Sequence, residues 1–266
     1  MRLAAFSAAN ANTFVTRWQT RHCAPTPSSA SGGEVDGHER YEPFRHRNTP
    51  EPAMTDRVPD DATLAQDGAD LTGSGRVLLV ACGALAHEIM ALKRANGWTH
   101  LDLACLPALL HNRPERIAPA VRDLVEARRD DYDSVFVVYA DCGTGGALER
   151  TCRELGVGMM RGPHCYAFFD GIDRFTVRGD DEMRAFYLTD FLVRQFDAFV
   201  TRPLGLDRHP ELREMYFGNY ERLIYLAQTD DPALDAKAQE AAGALGLAYE
   251  RRPTGYGDLE TALSGL

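Results

Sequence analysis

The chain has 266 residues, 44% of them apolar, and a formal charge of −10. That is enough apolar surface for a sizeable core in one large domain or two small ones, and the acidic balance leaves no basic stripe for nucleic acid. No apolar run reaches the roughly 18 residues that read as a membrane span, and six cysteines at this length are too sparse for a secreted disulfide scaffold. The expectation is a cytoplasmic protein whose thiols are free or metal-bound, with neither nucleic acid nor a membrane as partner.

Residues 1–75 differ from the rest. The stretch after Cys23 is rich in Pro, Ser, Gly and charge and shows no sustained period, so it reads as a disordered N-terminal extension. Arg2, Arg17 and Arg21 precede the first acid, Glu34, a pattern compatible with a transit peptide. Met54, opening "MTDRVPDDATL", is the expected native start, which makes everything upstream an over-long reading of the gene.

From Arg76 to Leu266 the pattern alternates as a single α/β domain. "RVLLVAC" is a strand buried on both faces, and "ALAHEIMALKRANG" a helix ending at Asn96-Gly97. "THLDLACLP" is the second strand. "PERIAPAVRDLVEARRD" is a helix with Pro114 in its first turn, and "SVFVVYAD" the third strand. "GALERTCRELG" reads as helix and "VGMMRG" as a short fourth strand. Further on, "DDEMRAFYLTDFLVRQFDAFV" reads as a long amphipathic helix and "PELREMYFGNY" as a shorter one. "RLIYLAQT" and "LAYERR" are strands around the Ala-rich helix "PALDAKAQEAAGALG", and "YGDLETALSG" closes the chain as a helix. The fold class is α/β: a doubly wound, mostly parallel sheet with helices on both faces.

Such sheets bind ligands outside the carboxyl ends of their strands. Cys82 closes the first strand, His111 follows the second, Cys142 closes the third, and His164-Cys165 follow the fourth. Cys82, Cys142, Cys165, His111 and His164 are therefore the candidate metal ligands, set on one edge of the sheet by the fold. No C-x-x-C or H-E-x-x-H spacing occurs. Thiolates with imidazole suit Zn or Fe, the latter as an ion or an Fe–S cluster. The glycines after Cys82 and Cys142 allow sharp turns and close approach of a ligand. "CGTGG" offers Gly143 and Gly145 as a phosphate cradle, although the Walker lysine is absent. Asp141, Glu88 and Asp170 are acids near these strand ends. Cys105 and Cys152, inside a strand and a helix, read as packing, as does His87 as a surface or internally bonded histidine. Gly218, Asn219 and Tyr220 either line the same pocket or turn the chain.

"VYADCGTGG" followed by "GPHCYAFFDG" resembles the domain of unknown function 1638 family, with its "GYGLCGNG"-like turn and "HDC"-like element. "LPALLHNRPERI", "FYLTDFL" and "FGNYERLIYL" are similar to its "LP..LHN.PE..", "YLT" and "GNY" stretches, and the resemblance spans about residues 76–263. Ala140-Asp141 stand where the family more often has Gly-Leu, and Pro163-His164-Cys165 replaces His-Asp-Cys. Glu88 looks like a recurrent acid of the first motif. The resemblance implies an enzyme or accessory factor in corrinoid-dependent one-carbon metabolism, with a corrinoid protein or methyltransferase as partner.

Three functions are compatible with these residues. The first is a metal or cluster centre on Cys82, Cys142 and Cys165 with His111 or His164. The second is a metal-free cysteine enzyme, with Cys142 as nucleophile and His164 or His111 as base. The third is a docking module in which the cysteines only pack and the aromatics of "FYLTDFLVRQFDAFV" are exposed.

Overall fold

The computed structural model describes residues 57–178 and 183–266. The readings of Cys23, of Met54 and of the transit-like arginines lie outside them. The ordered chain begins ahead of Arg76: Asp61–Gln66 is a helix, capped by Asp60, which accepts from Thr63 N at 2.8 Å. Strand β1, Ala69–Leu71, follows it. The boundary at residue 75 is thereby corrected for its last part. These two short elements carry only Ala62, Leu64, Ala65, Ala69 and Leu71 as apolar residues, too few to register as a period. Tertiary packing holds them, and Leu64 is fully buried.

β2 (Val77–Cys82), β3 (Leu101–Leu106), β4 (Ser134–Val138) and β5 (Gly158–Met159) form a sheet with β1, in the order β1-β3-β2-β4-β5. All its pairings are parallel except that of β1 with β3. The chain steps from β2 to one side, then returns past it to β4. Right-handed crossovers in opposite directions place their helices on opposite faces. Helix Ala86–Asn96 is thus on one face, while Ile117–Arg128 and Ala147–Leu155 share the other and touch. The reversal makes the carboxyl ends of β2 and β4 the switch point of the sheet.

A second sheet was not foreseen as separate. β6 (Ala185–Thr189), β7 (Arg222–Ala227) and β8 (Ala248–Pro253) are parallel, in that order. β6 overturns the long helix expected over residues 180–200. The run "AFYLT" is buried at every position, so it carries no alternation to mark it as strand. Thr189 then ends the strand and caps the helix Asp190–Arg194 by accepting from Leu192 N at 3.3 Å. Phe186, Tyr187, Phe191 and Phe199 are buried, so they do not form the exposed aromatic face of the docking reading. Among the described residues no helix is long and apolar enough to cross a membrane.

Gly83 shows how the N-terminal helix is seated on the strand ends. A Cβ there would lie 2.3 Å from the Leu64 carbonyl oxygen and 3.2 Å from that of Leu106. The glycine after Cys82 thus serves close approach of the chain to itself rather than of a ligand. We expect Gly83→Ala to lower stability by about 1–3 kcal/mol in urea unfolding. An unchanged midpoint would mean that residues 61–71 do not hold this position.

Candidate functional site

Four strand ends deliver the site. At the end of β2 the Cys82 Sγ accepts from Ala84 N at 3.4 Å and caps the short turn 83–85. After β3, Pro107 leads into the turn Ala108–Asn112, which carries the half-buried His111. After β4 the pairing with the neighbouring chain continues beyond the strands. Asp141 N donates to Gly162 O and Cys142 N to Pro163 O, both at 3.0 Å. The two loops run side by side, and Cys142 Sγ meets Cys165 Sγ at 3.1 Å.

His111, Cys142 and Cys165 bring one donor atom each to within 4.8 Å of one another. The two cysteines are buried. Cys82 stands behind this group, its Sγ 3.6 Å from His111 Nδ1. Nδ1 also lies 3.2 Å from the Ala108 carbonyl, which can only accept, so in the neutral ring the proton belongs on Nδ1 and Nε2 is the atom that could ligate. His164 stays outside the group of three: its ring stacks on Tyr166 at 4.9 Å.

The electrostatics favour one charge pair. The hydrogen bond from Cys165 holds the Cys142 thiol well below its ordinary pKa despite burial, with His111 adding to the effect. The same bond and burial push Cys165 well above. Burial opposes the His111 cation, but the charges of Cys82 and Cys142 more than offset it, and its pKa ends well above the ordinary value. Burial keeps His164 below its usual range.

Cys142 is the sole non-glycine with positive φ among the described residues, at 47°, and Gly143 follows at 85°. Gly145 and Gly146 turn their backbone amides to Asp141, at 3.2 and 2.6 Å, and Thr144 Oγ1 donates to it at 2.8 Å. The Asp141 carboxylate thus occupies the nest in which a phosphate would sit. Gly143 and Gly145 shape the turn that aims Cys142, and the amides of Gly145 and Gly146 are taken up by Asp141. Asp170 is buried and paired with Arg178 at 2.8 Å and Arg252 at 3.3 Å, a structural link between the two sheets rather than part of the site. Cys105 and Cys152 are buried thiols raised by burial, Cys152 to about 11. Asn219 turns the chain into β7, its carbonyl accepting from Arg184 Nε at 3.0 Å. His87 pairs with Asp61 at 3.2 Å.

Tyr139 escaped the sequence reading. It is fully buried at the end of β4, parallel to the His111 ring at 6.5 Å, and its hydroxyl has no partner. Alternation along "VVYAD" shows only an apolar strand end, so nothing in the sequence marked the oxygen. Over the three donors lies a cavity of about 160 Å³. His111, Cys142, His164 and Cys165 line one side, and residues of β6 and of the segment after it line the other.

The chain belongs to the family described as Protein of unknown function (DUF1638), whose model matches residues 105–263. The matched stretch contains His111, Cys142, His164 and Cys165 and begins after Cys82 and Glu88. No curated protein and no solved structure matches the chain.

Two buried oxygens give direct tests. Since the Tyr139 hydroxyl has no bond to lose, Tyr139→Phe in metal-free protein should leave stability unchanged or raise it by about 1 kcal/mol. A loss of that size would reveal a partner. Glu88, buried with Oε2 unpaired, has its carboxyl pushed up to about 7 by burial. The unfolded chain ionises near 4.5, so stability is full below that pH and falls as pH rises through 7. The loss above 7 is on the order of 3 kcal/mol. Glu88→Gln should flatten this slope between pH 5 and 8 in urea titrations; a slope identical to the parent's would place the titration elsewhere.

Proposed function

We propose that Cys142, Cys165 and His111 hold a zinc or iron centre at the switch point of the first sheet, with a coordination position facing the cavity. The observation that carries this reading is the convergence of three soft donors, from three separate strand ends, to within 4.8 Å. Two thiolates on one tetrahedral zinc lie about 3.8 Å apart, so opening the 3.1 Å Cys142–Cys165 pair by less than an ångström would admit the ion. A backbone carbonyl on Nδ1 fixes the tautomer in the way common to metal-ligating histidines. In this reading Cys82 and Tyr139 are groups that orient and tune the ligands, and His164 remains at the cavity wall.

Three protein ligands leave a fourth site, the arrangement by which a metal polarises or activates what it binds. The protein then acts as an enzyme, or as a metal-dependent accessory factor. The family resemblance supplies the setting, corrinoid-dependent one-carbon metabolism with a corrinoid protein or methyltransferase as partner.

One observation favours a second reading. Cys142 is both held low in pKa and in contact with a second thiol, which suits a metal-free thiol nucleophile.

Elemental analysis of the full chain, purified anaerobically without chelator, separates the two. We expect close to one equivalent of zinc or iron, retained in Cys152→Ala. It should fall to background in the Cys142→Ser/Cys165→Ser variant with circular dichroism unchanged. Metal-free protein whose Cys142 alkylates rapidly at pH 7 would overturn the metal centre in favour of the nucleophile.

A further inference from the structure

The cavity over the three donors differs from the protein around it. Charged residues make up 26% of the chain, yet no Asp, Glu, Lys or Arg lines this space. Its walls are Phe169, Phe186, Leu188, Phe191, Phe199 and Val200, each nine-tenths or more buried. Asp190 follows the lining residue Thr189 directly but does not supply a charge. Its carboxylate accepts from Tyr225 Oη at 2.8 Å and from the backbone amides of Gln228 and Thr229 at 3.0 and 3.1 Å. The Thr189 hydroxyl oxygen is engaged as a helix cap. Besides the donors, the polar residues that line it are Asn112, His164, Tyr166, Tyr187 and Thr189, none of them an acid, a lysine or an arginine.

A carboxylate or phosphate on the body of a ligand would lose its water among walls that hold no Lys or Arg, so a charged body is disfavoured. An apolar cavity of about 150 Å³ lined by Leu, Ile and Phe takes up benzene. The cavity here is about 160 Å³, and its apolar walls are of a similar kind, Phe, Leu and Val. The ligand it fits has an uncharged body of about that size. Beyond the body it needs one atom able to ligate a metal held by thiolate and imidazole, and such soft centres select sulfur.

We propose that the site binds a small neutral thiol with an aromatic or branched apolar body, seated between the two sheets with its sulfur on the open coordination position. On binding, the S–H bond breaks as the metal–sulfur bond forms, and the proton leaves to water; no oxidant or reductant takes part. The inference rests on the metal centre proposed above and names the ligand class of that same site.

The test uses the full chain loaded anaerobically with Co(II), whose visible absorption reports ligation. Benzenethiol, benzene and mercaptoacetate are the probes. We expect benzenethiol to shift the cobalt bands saturably and to bind about tenfold or more tighter than mercaptoacetate, which carries the same sulfur beside a carboxylate. Benzene should compete with benzenethiol without adding a sulfur-to-metal band. The half-buried lining residue Leu192 offers a variant that avoids the core. Leu192→Glu should weaken benzenethiol by about tenfold while cobalt uptake is unchanged. Cobalt uptake with equal affinity for the two thiols, or with no effect of Leu192→Glu, overturns the inference alone. No cobalt uptake overturns the metal centre and the inference together.

Discussion

Two backbone hydrogen bonds organise the site. Asp141 N to Gly162 O and Cys142 N to Pro163 O extend the β4–β5 pairing past the ends of both strands. β5 itself is two residues long, so these bonds, rather than the strand, set the register of the loops. That register lays Cys142 beside Cys165 and leaves the left-handed turn at Cys142-Gly143 to aim the first thiol inward. Asp141 then secures the turn from within by taking up the amides of Gly145 and Gly146. Without this pairing the two cysteines would belong to unrelated loops.

The neighbourhood breaks several local rules at once. A β-carbon residue sits at φ 47°, a tyrosine hydroxyl is buried without a partner, and two thiols meet below their usual contact distance. Each costs stability on its own: about 1–3 kcal/mol for a strained backbone, and a similar amount for an unsatisfied buried polar group. Elsewhere most buried polar groups of the described residues are provided for, Asp61 Oδ1 and Glu88 Oε2 being the exceptions. Asp102, for example, accepts from Gly73 N, Gly75 N and Tyr132 Oη. Backbone strain, a short thiol contact and an unpaired hydroxyl beside one set of donors fit the site proposed above.

The sequence showed the first sheet well because each of its main strands is a short apolar run followed by a helix with its own period and stop. The edge on which Cys82, His111, Cys142 and Cys165 would meet followed from that alternation and from the rule for parallel sheets. What it could not show was the order of strands, and with it which donors face one another. Cys82 closes β2 as expected, yet it lies behind His111 on Nδ1, because the turn after β3 folds the ring between Cys82 and the other two thiols. "AFYLT" was misread because burial on every side erases periodicity. The helix at 61–66 and β1 were lost in a polar segment whose few apolar residues act only through tertiary contact. Asp141 was read as a neighbour of the nucleophile or metal, whereas its role is to fill a nest of amides, which no spacing reveals.

The second sheet gives the donor group its working environment. Without β6 and the residues after it, Cys142 and Cys165 would face water, where thiolates are stable and unselective. With that wall in place, charge at the site has to be balanced locally. The thiolate of Cys142 and the cation of His111 can balance each other, with protons standing where a metal would be. A divalent ion would replace those protons and free the Nε2 lone pair as a ligand, so the metal-free charge pair and the loaded centre are two states of one arrangement. Beside walls that hold no Asp, Glu, Lys or Arg, a metal that neutralised its thiolates would leave no net charge to be balanced from outside the group, as the imidazolium–thiolate pair also does.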